Sequence, residues 1–172
     1  FHTLFSKKPF VGATMAISSH LTLLTGIAGI NVYIVRILKL PFDISLHFYF
    51  FFFVGVIITG ILKMFFYSSV GAVFLGTLGS SALLYVSIHW IILGNTINIP
   101  LLYIQGLLLG FGASMTLVSG SMATLLDGDL KEAAQRSQTM HTIRNFSAAM
   151  LIPIIAYTIK NHIQKGTQSI YA

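Results

Sequence analysis

The sequence predicts an all-α, polytopic integral membrane bundle of about five transmembrane helices. From Met64 to Leu126 there is no Asp, Glu, Lys or Arg, and residues 9–35 and 44–62 are two further windows without these charges. The chain is 55% hydrophobic and 8% charged, whereas soluble domains contain about 25% charged residues. A helical crossing needs about 20 apolar residues, while strands of membrane barrels are about ten residues long and alternate in polarity, so these windows favour helices.

The five predicted spans, A to E, are residues 10–37, 44–62, 67–92, 100–126 and 137–160. Span A follows Lys7 and Lys8 and is closed by Arg36, Lys39 and Pro41. Span B contains a mostly aromatic run, residues 48–53, which we expect to face lipid because Phe suits lipid contact.

Local signals separate the last three spans. Span C ends at the Gly94–Asn95 turn, and span D begins at Pro100, whose missing N–H is harmless in the first turn of a helix. Residues 127–136 hold most of the charge in the second half of the chain and predict a polar loop before span E. A polar tail, residues 161–172, follows span E.

We interpret residues 1–172 as a single membrane domain, and because the chain starts with Phe1 we expect it to be a fragment of a longer transporter. Lys and Arg lie near the span ends, and their weak bias predicts a cytoplasmic N-terminus. Cations spread in this way do not form the basic face that nucleic acids need. The absence of cysteine excludes disulfides and thiolate metal sites.

Polar residues within the spans are the candidate substrate contacts, because intramembrane polar groups are costly and usually face an interior. They are His20, Asn31, Gln105, His141 and Asn145. His20 and Asn31 are about three turns apart and share a face of span A. For His20, a neutral histidine bonded to a neighbouring helix is the structural alternative to a cavity contact.

Two residues near the outer end of span C, His89 and Trp90, are interpreted as interface anchors. Arg144 lies one turn from His141 and is a candidate gating residue, with snorkelling to the interface as the alternative.

Small residues at spacing four predict close helix packing, because such residues let helix backbones approach in lipid. Three seams have this pattern: Ser18–Thr22–Gly26, Ala72–Gly76–Ser80 and Gly106–Gly110–Ser114. Gly110 and Gly112 are also candidate hinges, because two nearby glycines weaken a helix.

Enzyme motifs such as HExxH, GxSxG and the Walker A loop are absent from the sequence. His141 has no second His or carboxylate at ligand spacing on its helix. We therefore expect no enzymatic activity, no metal and no cofactor, and a membrane-embedded enzyme is the least favoured class.

Three stretches resemble the C-terminal half of a major facilitator superfamily transporter, most closely the multidrug drug:proton antiporter branch. Residues 4–10 (LFSKKPF) resemble the linker before that half, and residues 100–106 (PLLYIQG) with Gly110–Gly112 resemble its tenth core helix. Ser137, with Arg144 seven residues later, resembles the start of the eleventh. The final core helix has no counterpart, and Ala148 and Leu151 stand where glycines are frequent.

This resemblance implies a partial major facilitator fold in a bacterial cytoplasmic membrane. Its implied function is proton-coupled export of small amphipathic molecules by alternating access. The implied partners are the lipid bilayer, the small-molecule substrate, and the missing N-terminal half and final helix of the same transporter. The alternative function is a non-transport membrane scaffold or subunit of a larger complex.

Overall fold

The computed structural model describes residues 10–17, 27, 30, 34–35, 39–93, 98–126 and 129–168. This part of the chain is almost entirely helical and contains no strand, which confirms the all-α class. In chain order the elements are α1 (10–17), α2 (Phe42–Leu93), α3 (Ile99–Leu126), a 3-10 turn (Leu130–Glu132) and α4 (Ala133–Gln168).

A left-handed turn leads into α2. Lys39 has a φ of 54°, and the N–H of Leu40 donates to the carbonyl of Ile34 at 3.2 Å. A left-handed residue followed by a backward bond of this kind satisfies carbonyls that a preceding helical turn leaves open. Pro41 comes next, and its carbonyl accepts from the N–H of Ile44 at 3.1 Å as α2 begins.

Helix α2 is one hydrogen-bonded element that runs in two directions. If straight, its 52 residues would extend about 78 Å. Gly71, with a φ of 81° and a ψ of 163°, is the non-helical residue inside it. We call residues 42–70 the first arm and residues 72–93 the second arm.

The first arm runs parallel to α3. A Cβ added at Gly106 would lie 2.8 Å from the carbonyl oxygen of Phe48. Further along, Lys63 Nζ donates to the carbonyl of Ser114 at 2.6 Å. Residue number therefore rises along both helices together.

The second arm runs antiparallel to α3. A Cβ at Gly76 would lie 3.4 Å from Ser119 Cβ, and at the other end of the arm Trp90 Nε1 donates to Gln105 Oε1 at 2.6 Å. As residue number rises along this arm, it falls along α3. The two arms thus form a helical hairpin around Gly71, and both pack against α3.

The sequence and the structure differ on where this hairpin turns. The sequence predicted a boundary between spans B and C at residues 63–66, but these residues are helical and the chain reverses at Gly71. The charge at Lys63 does not break the helix, because its ammonium reaches the carbonyl of Ser114. The reversal requires a positive φ, which glycine adopts without steric cost.

Close backbone approach holds both arms to α3. A Cβ at Gly110 would overlap the carbonyl oxygen of Phe52 on the first arm. On the second arm, a Cβ at Gly79 would lie 2.9 Å from the carbonyl oxygen of Gly112, and one at Gly112 would lie 2.7 Å from that of Gly79. The second-arm seam therefore runs through Gly79, while the predicted seam residue Ser80 is exposed.

The core lies where α3 meets the two arms and the segment before α2. Its buried members are Ile27, Ile34, Phe48, Val86, Leu102 and Leu109. Away from this core, large apolar side chains of α2 are open to the surroundings, for example Met64 at 84%, Ile91 at 81% and Val73 at 80%. Two described helices are long and apolar enough to cross a membrane, Phe42–Ile92 and Ile99–Leu125.

Arg136 fixes the corner between α3 and α4. Its side chain is fully buried, and its Nε donates to the carbonyl of Thr124 at 3.1 Å. Its NH2 group donates to the carbonyls of Leu125 and Asp129, both at 2.9 Å. The guanidinium therefore caps carbonyls at the C-terminus of α3, where the helix dipole favours a cation.

Helix α4 is longer than predicted span E. It begins at Ala133, within the predicted polar loop, and continues to Gln168, past the predicted end at residue 160. Pro153 lies inside it and has no N–H to donate to the preceding turn.

Candidate functional site: a polar cluster around Gln105

Gln105 is a polar side chain in an apolar setting. It is 3% exposed, and its neighbours one turn away on the same face of α3 are the core residues Leu102 and Leu109. A buried amide in such surroundings is costly unless it is hydrogen-bonded. Its partners therefore decide what the site can do.

Both partners of Gln105 come from consecutive residues near the end of the second arm. Trp90 Nε1 donates to Gln105 Oε1 at 2.6 Å. On the other side of the amide, Gln105 Nε2 lies 2.7 Å from His89 Nδ1. One side chain of α3 thus links two rings of the second arm.

The chemistry of the three groups fixes the direction of both bonds. The indole Nε1–H can only donate, so it requires the oxygen of Gln105. The NH2 group of Gln105 must then face His89, and His89 Nδ1 must accept. In this arrangement His89 is neutral and carries its proton on Nε2.

Tyr85 extends the cluster towards the surface. It lies about one turn before His89 on the second arm, and their ring centroids are 5.9 Å apart. Tyr85 is 54% exposed, whereas His89 and Trp90 are half-buried. The polar cluster, defined as Tyr85, His89, Trp90 and Gln105, therefore connects the core to the outer face of the bundle.

A second group of polar contacts joins the first arm to α3, but it consists of bonds to backbone. Thr59 Oγ1 donates to the carbonyls of Gly55 at 3.0 Å and Phe111 at 3.1 Å. One turn later, Lys63 donates to the carbonyl of Ser114. These bonds hold the helices in register.

The predicted hinge residues Gly110 and Gly112 lie on opposite sides of α3. Gly110 meets Phe52 of the first arm, while Gly112 meets Gly79 and Leu83 of the second arm. Each is thus in tight backbone packing. The hinge role of both stays a prediction.

The predicted polar stripe on α4 lies apart from Gln105. His141 and Asn145 are exposed, and the guanidinium of half-buried Arg144 contacts the side-chain oxygen of Asn145 at 3.4 Å. His20 and Asn31 lie outside the described residues. Gln105 is therefore the one described member of the predicted set that is buried among other helices.

Sequence reasoning identified Gln105 but interpreted His89 and Trp90 only as interface anchors. The predicted Gly94–Asn95 turn gives no signal for this pairing, because His89 lies five residues before Gly94 whereas Gln105 lies ten residues after Asn95.

Within the described residues, no group of three or more His, Asp or Glu could hold a metal ion. Comparison of the chain with protein-family models, curated proteins and solved structures gives no match.

Proposed function

We propose that this chain is part of an integral membrane secondary transporter that exports small amphipathic organic molecules in exchange for protons. The observation that carries the proposal is the polar cluster, centred on buried Gln105, in a hairpin bundle whose outer surface is apolar. The resemblance of residues 100–106 and 137–149 to the C-terminal half of major facilitator transporters supports the same function.

The membrane part of the proposal rests on exposed apolar surface. Most large side chains on the outer faces of both arms are hydrophobic, including Phe50 at 62%, Phe53 at 61% and Phe74 at 58% exposure. Soluble monomers rarely expose apolar surface this extensive. Lipid would solvate it, and α3 at about 42 Å is long enough to cross the hydrocarbon core.

The transport part rests on where the polar groups lie. Intramembrane polar residues usually face an interior or a water-filled cavity. Gln105 faces the second arm, and on α4 the exposed residues His141 and Asn145 share one helical face. In the proposed transporter, the missing half and final helix lie opposite such faces, and Arg144, Gly110 and Gly112 act in gating. Asn31 and His20 would complete the substrate contacts from span A.

Membrane insertion has a direct test. The sequence contains no cysteine, so single cysteines can be introduced without background. We expect cysteines at position 69, next to the Gly71 reversal, and at position 129 to be labelled from the cytoplasmic side of a bacterial inner membrane, and cysteines at 39 and 95 from the other side. Release of the chain from membranes by alkaline carbonate would contradict the proposal.

Transport is tested on the natural gene product in everted membrane vesicles. Addition of a lipophilic organic cation should dissipate an imposed pH gradient, and Gln105→Leu should reduce this flux per folded molecule. The matched control is Gln138→Leu, which alters an exposed glutamine on α4. Equal flux in vesicles with and without the protein, across a panel of organic cations, would overturn the proposal.

A non-transport membrane scaffold is the second candidate. The observation that favours it is the tight packing of Gly110 and Gly112, which fills both sides of α3 with backbone contacts. A scaffold would retain membrane insertion and helix packing without substrate-dependent flux. The vesicle experiment therefore separates the two functions.

A further inference from the structure

We propose that His89 is a proton-binding site whose occupation breaks one of the two hydrogen bonds between Gln105 and the second arm. The inference deepens the proposed function and rests on it in one respect, because the proton that binds His89 is taken to be the proton exchanged for the substrate. The geometry itself concerns only three side chains. Gln105 Nε2 lies 2.7 Å from His89 Nδ1, and Gln105 Oε1 lies 2.6 Å from Trp90 Nε1.

The proton and the Gln105 amide compete for one lone pair. With the amide oxygen held by the donor-only indole, the NH2 group of Gln105 occupies the lone pair on His89 Nδ1. A proton that binds His89 must bind at the same atom, since Nε2 already carries one. Protonated Nδ1–H and the amide N–H would then point at each other.

Rotation of the amide does not restore both bonds. A half-turn of the Gln105 side-chain amide would offer Oε1 to the protonated ring, and that bond would be charge-assisted. The NH2 group would then face Trp90 Nε1–H, where two donors meet. The rotated arrangement is favoured because its bond to protonated His89 is charge-assisted, so the bond that the cluster loses is the one between Gln105 and Trp90.

The position of His89 allows a proton to reach it. Its ring is half-buried, and its neighbour Tyr85 is 54% exposed. The cluster lies about 13 Å along α3 from Ser114, which is the level of Lys63. The proton site is therefore at the end of the bundle away from that cation.

Among the described residues at this end, His47 and Tyr49 have partners other than the polar cluster. On the first arm, His47 Nδ1 lies 2.7 Å from the carbonyl of Asp43, and its ring contacts Tyr103 of α3 at 5.7 Å. Tyr49 donates to the carbonyl of Ile27 at 3.1 Å. Around His89, Tyr85 is on the same arm and Gln105 faces it from α3, while the charged residues Asp43 and Lys39 lie where the first arm begins.

Trp90 provides a built-in reporter, because it is the single tryptophan in the chain. We would titrate the full chain in lipid nanodiscs from about pH 8 to pH 5, a range that covers ordinary histidine titration. Trp90 emission should change in one protonation step as the neighbouring imidazole becomes charged. Absence of any change would overturn the proposal.

Two histidine variants assign the step. His89→Asn keeps an acceptor near the position of Nδ1 but cannot titrate, so the transition should disappear. His47→Asn is the matched control, because it removes a histidine at the same end of the bundle without touching Gln105. A transition that survives in His89→Asn, or disappears in His47→Asn, would overturn the assignment.

A measurement on the unaltered chain protects the test against a misfolded variant. Ultraviolet resonance Raman spectra report the hydrogen bonding of the Trp90 indole N–H and the protonation of histidine. Histidine protonation at low pH should be accompanied by a changed Trp90 environment at the same midpoint. Protonation that leaves the Trp90 spectrum unchanged would contradict the competition between proton and amide.

This test and the transport test fail independently. If the pH transition is present and no flux is found, His89 remains a proton site and the transport proposal is wrong. If flux is found without the transition, the exchanged proton binds elsewhere.

Discussion

The two arms of α2 bind the same helix in different ways. The first arm donates side-chain hydrogen bonds to the backbone of α3, as Thr59 does to Phe111 and Lys63 does to Ser114. The second arm bonds a side chain of α3, since Trp90 and His89 both contact Gln105. Backbone acceptors are present at every residue, whereas a side-chain partner is specified by the sequence.

This difference separates a fixed contact from a changeable one. A backbone carbonyl cannot titrate, so the first-arm bonds do not depend on the state of α3. The second-arm bonds depend on the tautomer of His89 and the orientation of one amide. The comparison indicates that the Thr59 bond of the first arm anchors α3 at any pH, and that the second-arm bond at His89 is where the packing can respond to a proton.

The largest expected effect comes from breaking the first-arm contact at Gly110. Gly110→Ala would place a Cβ on the carbonyl oxygen of Phe52, where backbone cannot move without shifting a helix. We expect a loss of about 3 kcal/mol, at the upper end of overpacking costs. Equilibrium unfolding in mixed micelles, followed by circular dichroism, measures it.

Gly60→Ala is the matched control for that substitution. Gly60 is on the first arm, is exposed, and has nothing within 4 Å of an added Cβ. It should be neutral or slightly stabilising, because alanine favours helix more than glycine does. Equal losses in both variants would show that α3 is not held by this close approach.

Removal of Gln105 tests the second arm. Gln105→Leu keeps the volume similar but leaves the buried side of the Trp90 N–H without its acceptor. We expect a destabilisation of about 1–3 kcal/mol, the cost of an unsatisfied polar group. A stabilised Gln105→Leu variant would show instead that the cluster is retained at the expense of stability, and the same unfolding measurement distinguishes these outcomes.

Separation of the arms depends on Gly71. Gly71→Ala forces a side chain into a positive φ and should cost about 1–2 kcal/mol. A Cβ at Gly71 has no neighbour within 4 Å, so the destabilisation comes from backbone strain and not from a steric clash with another helix. Gly71→Asn should cost about as much as Gly71→Ala, because a φ of 81° with a ψ of 163° lies outside the left-handed helical region that asparagine tolerates and is open essentially to glycine alone. Equal stability of all three chains would argue against a hairpin turn at this residue.

The sequence predicted α3 closely because its ends carry strong local signals. Pro100 marks the first turn, and the charge at Asp127 follows the last apolar residue, so the predicted bounds of 100–126 differ by one residue from Ile99–Leu126. The all-α class follows equally from uninterrupted apolar windows. These signals are local and need no knowledge of packing.

The hairpin turn and the partners of Gln105 depend on packing and were not predicted. Several glycines of α2, such as Gly60 and Gly76, have the same intrinsic freedom as Gly71, and only the register against α3 selects one for the reversal. Similarly, a His and a Trp near the end of a span are typical of a membrane interface, so the sequence favoured that role for His89 and Trp90. Their role appears only when the second arm lies antiparallel to α3.

The smallest expected effect is that of Thr59→Val, and it tests the contrast between the two arms most directly. Thr59→Val is nearly isosteric and removes one hydroxyl that bonds Gly55 on its own helix and Phe111 on α3. The two carbonyls keep their helical bonds, so no donor is left unsatisfied, and we expect a loss of about 0.6 kcal/mol, as is typical of interhelical bonds in membranes. Thr77→Val is the control, since its exposed hydroxyl bonds only the carbonyl of Val73 on the same arm. The change in stability relative to the unaltered chain should be independent of pH between about 5 and 8 for both variants, because neither hydroxyl bond involves a titrating group. A pH-dependent loss in Thr59→Val would mean that the first arm also responds to protonation, and the distinction between an anchoring arm and a responsive arm would fall.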